Sequence, residues 1–212
     1  MLLELSEILA CPSCGPPQAL VAVVFASEGR RVLDGFLGCP GCDSRFPVTS
    51  AVVRFEPEDG AVQRPVSPGT LPDETPLLIA ALLDLSRGRG HVLLGHGLAE
   101  AAVELAGLAP GWEVICLETA EAPTAGPVAV SRLVVGARPL PLQPGMLGAM
   151  ALAGEPALEL LPEAQRLLVR GGRLVVLAPP EGTAVEASRI GLDVVAADDR
   201  ALLAVRPSAS RP

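Results

Sequence analysis

The sequence predicts an α/β fold, a largely parallel sheet with helices on both faces, preceded by a small unit that a metal ion holds together. Three observations predict it. Short apolar runs typical of buried strands alternate with amphipathic helical segments between residues 77 and 205. Four of the five cysteines form two Cys-x-x-Cys pairs within the first 42 residues. All four phenylalanines also precede residue 56, which suggests two cores built from different side chains.

The two cysteine pairs, Cys11 with Cys14 and Cys39 with Cys42, are the strongest chemical signal in the sequence. A two-residue spacer lets both sulfurs of a pair point into one turn, and two such turns complete a tetrahedral shell of four thiolates. That shell is typical of structural zinc, and it leaves no position open for a substrate. Two disulfides or four unrelated thiols are the alternatives that the spacing leaves open.

Around these cysteines the pattern indicates a small, strand-rich unit over residues 1–57. Apolar residues at helical spacing predict a short amphipathic helix over residues 2–9. Strands are expected over residues 20–25, 31–37 and 51–55. A unit of this size buries too little apolar surface to fold unaided, so metal binding is expected to supply the missing stability.

The order of these elements resembles a known family. A helix, a Cys-Pro-x-Cys turn, two strands, a Cys-x-x-Cys turn and the tripeptide Phe46-Pro47-Val48 before an apolar tail look like the small zinc-ribbon activator proteins of tRNA, rRNA and translation-factor methyltransferases. The resemblance covers residues 1 to about 57 and includes all four cysteines. It implies a zinc ribbon that binds no substrate and that covers an apolar edge of a methyltransferase sheet.

A second unit over residues 76–212 follows residues 58–75, which are rich in proline, glycine and acids and therefore indicate a linker. Helices are expected over residues 77–85, 98–108, 156–169 and 183–190. Gly171 and Gly172 are expected to end the third helix. Strands are expected over residues 91–94, 112–117, 128–135 and 173–177, with a terminal hairpin of residues 192–195 and 201–205. Residues 146–152 fit either a helix or a strand.

This second unit also resembles a known family. Residues 163–177 look like the late helix, the basic-Pro-Gly-Gly turn and the fifth strand of the Rossmann-like S-adenosylmethionine-dependent methyltransferases, with Val169-Arg170 where Leu-Arg-Pro is usual. The hairpin around Asp198-Asp199-Arg200 looks like the antiparallel strand that ends that sheet. The resemblance covers roughly residues 77–206. It implies a Rossmann-like methyltransferase-type sheet and S-adenosylmethionine as the cofactor.

A cofactor site of this kind needs glycines after the first strand, an acid after the second strand for the ribose hydroxyls, and a polar contact to adenine. Gly95 and Gly97 stand at the glycine positions, and Glu118 stands at the position of the acid. A solvated acid at a strand end is the alternative interpretation of Glu118. These three residues are the candidate cofactor ligands.

Several other groups of the family's site are missing. Leucines precede the glycines where an acid is usual, and Leu98 offers no partner to the charged amino-acid tail of the cofactor. Residues 135–142 lack the family's Asp, with Ala137 directly after Gly136, and Met146-Leu147-Gly148 replaces the usual Phe-Asp pair. The losses predict a zinc-binding, methyltransferase-like protein without catalytic residues that acts as a binding or scaffold module. An active methyltransferase with a built-in zinc-ribbon activator is the alternative.

Charge and hydropathy restrict the partners. The net charge is −8 and neither unit is basic, which argues against a nucleic-acid-binding surface. No run of about 18 uncharged apolar residues occurs, so no membrane span is expected. Metal-type cysteine pairs and an N-terminus without a basic start predict a cytoplasmic protein. A protein partner or a second copy is expected to bind at apolar sheet edges.

Three further residues are weaker candidates for chemistry. His91 is expected to be a residue at the start of a strand. His96, between two glycines, is expected to be a surface loop residue rather than a base or a ligand. Cys116 lies in an apolar strand and is expected to be a buried core thiol.

Overall fold

The computed structural model describes residues 1–55, 72–95, 97–118, 129–136 and 139–208. A 3₁₀-helix, Leu3–Glu7, opens the chain, and four strands follow: β1 (Val21–Glu28), β2 (Arg31–Gly38), β3 (Arg45–Thr49) and β4 (Val52–Arg54). The remaining elements are α1 (Thr75–Leu82), β5 (Gly90–Leu94), a 3₁₀-turn (Ala99–Ala101), α2 (Ala102–Leu108), β6 (Trp112–Glu118), β7 (Ser131–Val134), β8 (Leu147–Ala153), α3 (Pro156–Leu167), β9 (Leu168–Leu177), α4 (Thr183–Arg189), β10 (Asp193–Ala197) and β11 (Ala201–Val205).

These strands form one sheet in the order β1-β2-β3-β4-β7-β6-β5-β8-β9-β11-β10. Strands β7, β6, β5, β8 and β9 are mutually parallel, and the terminal hairpin joins through β11, which runs antiparallel to β9. The order reverses at β5, so the loops after β5 and β8 diverge at the carboxyl edge. The mixed α/β sheet with a terminal antiparallel hairpin confirms the predicted Rossmann-like, methyltransferase-type class.

The N-terminal unit is continuous with this sheet. Its last strand, β4, pairs in parallel with β7, and Val53 lies opposite Leu133. The ladder continues beyond β4, because the Phe55 amide donates to the Val134 carbonyl at 2.9 Å. Strands β1 to β4 therefore extend the sheet past β7, which would otherwise be its edge.

Two apolar layers lie on opposite faces of the sheet, because side chains alternate along each strand. The layer under α3 and α4 includes Leu5, Phe46, Phe55, Leu93, Leu133 and Leu161. The layer under α1 and α2 includes Ile79, Leu94, Leu98, Leu105 and Cys116. The prediction of separate aromatic and aliphatic cores is wrong. Pairing of β4 with β7 places Phe46 and Phe55 of the first unit in the same layer as leucines of the second.

The glycine pair Gly171-Gly172 does not end α3, contrary to prediction. Helix α3 ends at Leu167 because Leu168 is extended, with ψ of 142°, and begins β9. Gly171 has φ of +78° and lies where the pairing of β9 with β8 shifts register. A helix end and a strand irregularity both use glycine at positive φ, so the local pattern does not distinguish them.

Other elements differ from expectation in length or type. The first helix is a short 3₁₀-helix rather than an α-helix over residues 2–9. Residues 98–101 precede α2 as a turn, and the ambiguous segment 146–152 forms β8. Most of the predicted linker, together with His96 and Ala137, lies outside the described residues. None of the described helices is long and apolar enough to cross a membrane.

Gly148 provides the first testable feature of the packing. A Cβ atom there would lie 2.6 Å from Cζ3 and 2.8 Å from Cη2 of Trp112. We expect Gly148→Ala to lower the free energy of unfolding by about 1–3 kcal/mol and to change the fluorescence of this sole tryptophan. At Gly107 in α2 an added Cβ meets nothing within 4 Å, so Gly107→Ala is expected to stabilise by about 0.5 kcal/mol. Equal stability of both variants in urea unfolding would contradict this packing.

Candidate metal centre and candidate cofactor site

The structure brings together the four cysteines that the sequence singled out. Their Sγ atoms all lie within 4.8 Å of one another. Cys11 Sγ lies 3.6 Å from Cys42 Sγ, and Cys14 Sγ lies 3.8 Å from Cys39 Sγ. A tetrahedron with metal–sulfur bonds of about 2.3 Å has sulfur–sulfur edges of about 3.8 Å. The four described sulfurs therefore have the spacing of a tetrahedral metal site, and all five cysteines are free rather than paired in disulfides.

Two short turns hold the sulfurs in place. The first follows the 3₁₀-helix, where the Gly15 amide donates to the Cys11 carbonyl at 2.8 Å. The second follows β2, where the Asp43 amide donates to the Cys39 carbonyl at 3.0 Å and the Gly41 amide donates to Cys39 Sγ at 3.4 Å. Both turns are tied to the sheet at one end, so their spacing is set by the β1–β2 pairing.

Ser44 is a member of this site that the sequence analysis did not identify. Its hydroxyl lies 3.1 Å from Cys42 Sγ, and hydrogen bonds from its hydroxyl and backbone lower the pKa of Cys42 to about 6. Hydrogen bonding to Cys42 in turn raises the pKa of Cys14 to about 12. Ser44 thus favours the thiolate form of Cys42, which is the form that binds metal ions. A serine two residues after a ligand cysteine was the available signal.

Cys116 lies apart from this site and is expected to resist alkylation at about pH 8. Its side chain is 1% exposed, and burial raises the pKa of its thiol to about 12. Only about one molecule in ten thousand then carries the thiolate. After a chelator has removed any bound metal, the exposed Cys42 should react first. Mass spectrometry of the modified peptides measures this order, and alkylation of Cys116 before unfolding would contradict it.

The candidate cofactor glycines lie in a tight turn at the carboxyl end of β5. The Gly95 carbonyl accepts from the Leu98 amide at 3.2 Å, and Gly97 has φ of +87°, which favours glycine. A Cβ at Gly95 would lie 2.7 Å from a methyl group of Leu152. A side chain at Gly95 would therefore require the Leu152 side chain of β8 to shift.

Leu98 faces inward. Its side chain is fully buried in the layer under α1 and α2, where Ile79 and Leu94 also lie. At the position where the resemblance leads us to expect the charged tail of a cofactor, this chain has an apolar side chain that completes its own core. The Leu98 side chain therefore cannot pair with a charged group.

Glu118 lies at the end of β6, as predicted, but its carboxylate has a partner within the protein. Arg132 of β7 donates from Nε to Glu118 Oε1 at 2.6 Å. The side chains are 9% and 10% exposed, so the pair is buried. Arg132 was not among the residues predicted from the sequence. The available signal was an arginine within the predicted strand 128–135, since a buried charge requires a partner nearby.

The backbone of residues 140–143 is also engaged by the protein. From α3, Arg166 donates to the carbonyls of Leu140 and Leu142, and Glu163 accepts from the Leu140 amide. From the N-terminal unit, the Ala10 amide donates to the Pro141 carbonyl at 3.0 Å, one residue before Cys11. Residues 140–143 are therefore held by α3 and by the chain just before Cys11.

A third ionic cluster joins the N-terminal unit to β6 and β7. Arg31 of β2 contacts Glu113 of β6 through two hydrogen bonds of 2.8 Å. The Ser131 hydroxyl donates to Glu113 Oε1 at 2.5 Å and accepts from the Leu2 amide at 3.0 Å. His91, opposite Glu113 on β5, has a pKa lowered by burial. The cluster connects the two units and lies at the amino ends of the parallel strands, away from Gly95 and Glu118.

Comparison with known proteins gives a similarity of fold only. No protein-family model matches the sequence, and no curated protein matches it. The antibiotic-resistance methyltransferase Kmr is 16% identical, with a TM-score of 0.44 over 70% of this chain and 99% of that chain. A tRNA methyltransferase from Aquifex aeolicus is 13% identical, with a TM-score of 0.47; the match covers 66% of this chain and 71% of that chain. An O-methyltransferase from Thermotoga maritima is 14% identical, with a TM-score of 0.46 over 68% of each chain. The fold assignment rests on the strand order.

Proposed function

We propose that this protein is a zinc-binding scaffold or binding module with a methyltransferase-type fold and without methyl-transfer activity. The observation that carries the proposal is the buried ion pair between Glu118 and Arg132. A carboxylate that must accept hydrogen bonds from two ribose hydroxyls is here committed to a guanidinium at 2.6 Å. Binding ribose through Glu118 would require this buried carboxylate to give up a charged hydrogen bond, which contributes about 1.5–3 kcal/mol.

The same conclusion follows from Leu98 and the 140–143 segment. Binding a charged amino-acid tail against Leu98 costs several kcal/mol, because this fully buried side chain offers no opposite charge. The backbone of residues 140–143 is used by α3 and by the N-terminal unit. Taken together, these residues do not fit S-adenosylmethionine in the manner that the resemblance implies.

The ion that we assign to the four cysteines is zinc, in a structural role. Four thiolates at tetrahedral spacing suit zinc, and a complete protein shell leaves no coordination position for substrate. A zinc-ribbon unit fused in one chain with the sheet would serve in cis as the activator family serves its partners. It covers β7, and it holds the start of the 140–143 segment through Ala10.

Isothermal calorimetry with S-adenosylmethionine and its demethylated product tests this function. The zinc-loaded protein is expected to show no binding heat and no increase in melting temperature with either compound. Glu118→Gln should lower stability, because it breaks the buried ion pair with Arg132, and it too should show no binding heat with either compound. Saturable binding that Glu118→Gln abolishes would overturn the proposal.

An active methyltransferase with a built-in zinc-ribbon domain is the second candidate function. The tight turn between Gly95 and Leu98 and the position of Glu118 at a neighbouring strand end favour it. In that case Glu118 would exchange Arg132 for ribose on binding. Glu118→Gln would then weaken cofactor affinity about tenfold or more, since a charged hydrogen bond contributes about 1.5–3 kcal/mol.

A further inference from the structure

Strand β1 is an open edge of the sheet. Among the described residues, only β2 forms a ladder with it, and an isolated bridge between Ala10 and Ala19 covers the chain just before it. Edge strands are usually protected by charges or proline, because their free backbone groups pair readily with another strand. Residues 19–27 contain neither a charge nor a proline. This edge therefore lacks those two protections.

The solvent-facing side of β1 is apolar. Val21 is 57% exposed, Val23 is 38% exposed and Phe25 is 73% exposed. Phe25 lies in a bulge, since Val24 pairs with Gly35 and Ala26 pairs with Asp34. Its ring keeps an edge-on contact with Phe36, with ring centroids 5.9 Å apart. Phe36 of β2 lies opposite Val23. Because the Phe25 ring contacts Phe36, Phe25 projects from the same face as Val23.

A groove lies next to this projecting ring on the same face. It has a volume of about 380 Å³ and is lined by Val21, Val23, Gly38, Cys39, Pro40, Asp43 and Arg45. The Arg45 guanidinium covers the Phe36 ring at 5.1 Å and closes one side. An enclosed apolar cavity of about 150 Å³ holds a benzene molecule, so this groove has room for a phenylalanine ring.

We propose that β1 is a self-association surface that pairs two copies of this chain in antiparallel fashion about a twofold axis near Val23. In that register Val23 lies opposite its own copy, and Val21 lies opposite Phe25 of the second copy. Residues opposite each other in an antiparallel pair share a face, so each Phe25 ring enters the groove beside Val21 of the other copy.

A second copy fits this surface because β1 carries both the projecting Phe25 ring and part of the groove wall, Val21 and Val23. An isologous contact uses the same patch on both copies, so the patch must contain both complementary parts. Two chains of net charge −8 repel each other, but residues 19–27, which would form the new ladder, carry no charge. The groove adds one charge of each sign, Asp43 and Arg45. The contact is small, so the dimer is expected to be weak and to depend on protein concentration.

Sedimentation velocity of the full, zinc-loaded chain over about a hundredfold range of concentration tests the proposal. The sedimentation coefficient is expected to rise from that of a monomer to that of a dimer. Val23→Lys should weaken dimerisation about tenfold or more, because it places two like charges opposite each other. Phe25→Ser should weaken it as well. Val23 is exposed, so Val23→Lys is expected to leave the melting temperature of the dilute monomer nearly unchanged. Phe25→Ser also removes the contact with Phe36 and is expected to lower it slightly.

Val195→Lys is the matched control. Val195 is 61% exposed on β10, the strand at the opposite edge of the sheet, and this variant should dimerise like the wild type. A wild type that stays monomeric over the whole range would overturn the proposal. So would loss of dimer in Val195→Lys, because the contact would then involve the other edge.

Cysteine cross-linking tests the register. Val23→Cys should form an intermolecular disulfide on mild oxidation, because opposite Cα atoms lie about 4.5–5.5 Å apart. Val21→Cys should not, because its two copies would lie about 13 Å apart along the strands and disulfides need less than about 7 Å. Cross-linking of Val21→Cys alone would overturn the twofold axis at Val23.

Discussion

Cys39→Ser is expected to abolish metal binding and to unfold the N-terminal unit. Cys39 is 3% exposed and lies at the end of β2, so its sulfur positions both the second turn and the β1–β2 pair. Zinc-finger peptides gain about 10–16 kcal/mol from their metal, and loss of one of four ligands removes much of that. We expect the free energy of unfolding to fall by at least about 3 kcal/mol.

Metal analysis together with thermal unfolding measures this effect. The wild type should contain one zinc ion per chain, and Cys39→Ser should contain none. Cys116→Val is the control, since that cysteine is buried in another layer and a valine of similar size suits a strand. Full zinc content and an unchanged melting temperature in Cys39→Ser would contradict a structural metal site.

Unfolding of the unit should also expose the edge of β7. Strand β4 covers that edge through its ladder and through the Phe55 amide. Without it, an apolar parallel strand would present unpaired backbone groups to solvent. The zinc-free variant is therefore expected to aggregate on heating at a lower temperature than the wild type, which light scattering measures.

Glu113→Gln is expected to lower the free energy of unfolding by about 3–4 kcal/mol. Arg31 and Glu113 are 18% and 10% exposed, and they form two hydrogen bonds across the junction between the N-terminal unit and β6. A neutral side chain at Glu113 leaves the Arg31 guanidinium partly buried without its counter-charge. Breaking one partner of a buried pair is costly for that reason.

A double-mutant cycle and an exposed control test this expectation. Arg31→Met combined with Glu113→Leu removes both charges and should recover most of the loss, since apolar replacements of buried pairs are often tolerated. Glu186→Gln breaks an exposed pair with Arg189, which is 69% exposed, and should cost less than about 0.5 kcal/mol. If the costs of the Arg31 and Glu113 single variants added up in the double variant, the two side chains would not interact.

Local patterns were sufficient for most secondary structure. Strands β5, β6 and β9 were predicted from apolar runs, and helices α3 and α4 from their spacing, because these signals depend on neighbours along the chain. The local pattern gave the wrong prediction at Gly171, because a glycine at positive φ occurs both at helix ends and at strand irregularities. It left residues 146–152 undecided because a short apolar run fits a helix or a strand, and only pairing of β8 between β5 and β9 makes it a strand.

The candidate cofactor residues show a different limit. Position along the chain placed Glu118 at a strand end, and that position is where the structure has it. Whether its carboxylate faces solvent, ribose or another side chain depends on the neighbouring strand. Arg132 reaches it because β7 pairs with β6 in a register that sets Cys116 opposite Arg132. No spacing within a single segment contains that information.

Cysteine spacing was enough to identify four candidate metal ligands, since a two-residue turn brings two sulfurs together through local geometry alone. Only the tertiary structure shows how the two units are joined. Parallel pairing of β4 with β7 merges an aromatic and an aliphatic layer and turns two expected units into one sheet. That pairing links residues about eighty positions apart, and its energy comes from burial and backbone hydrogen bonds that arise only when distant strands meet.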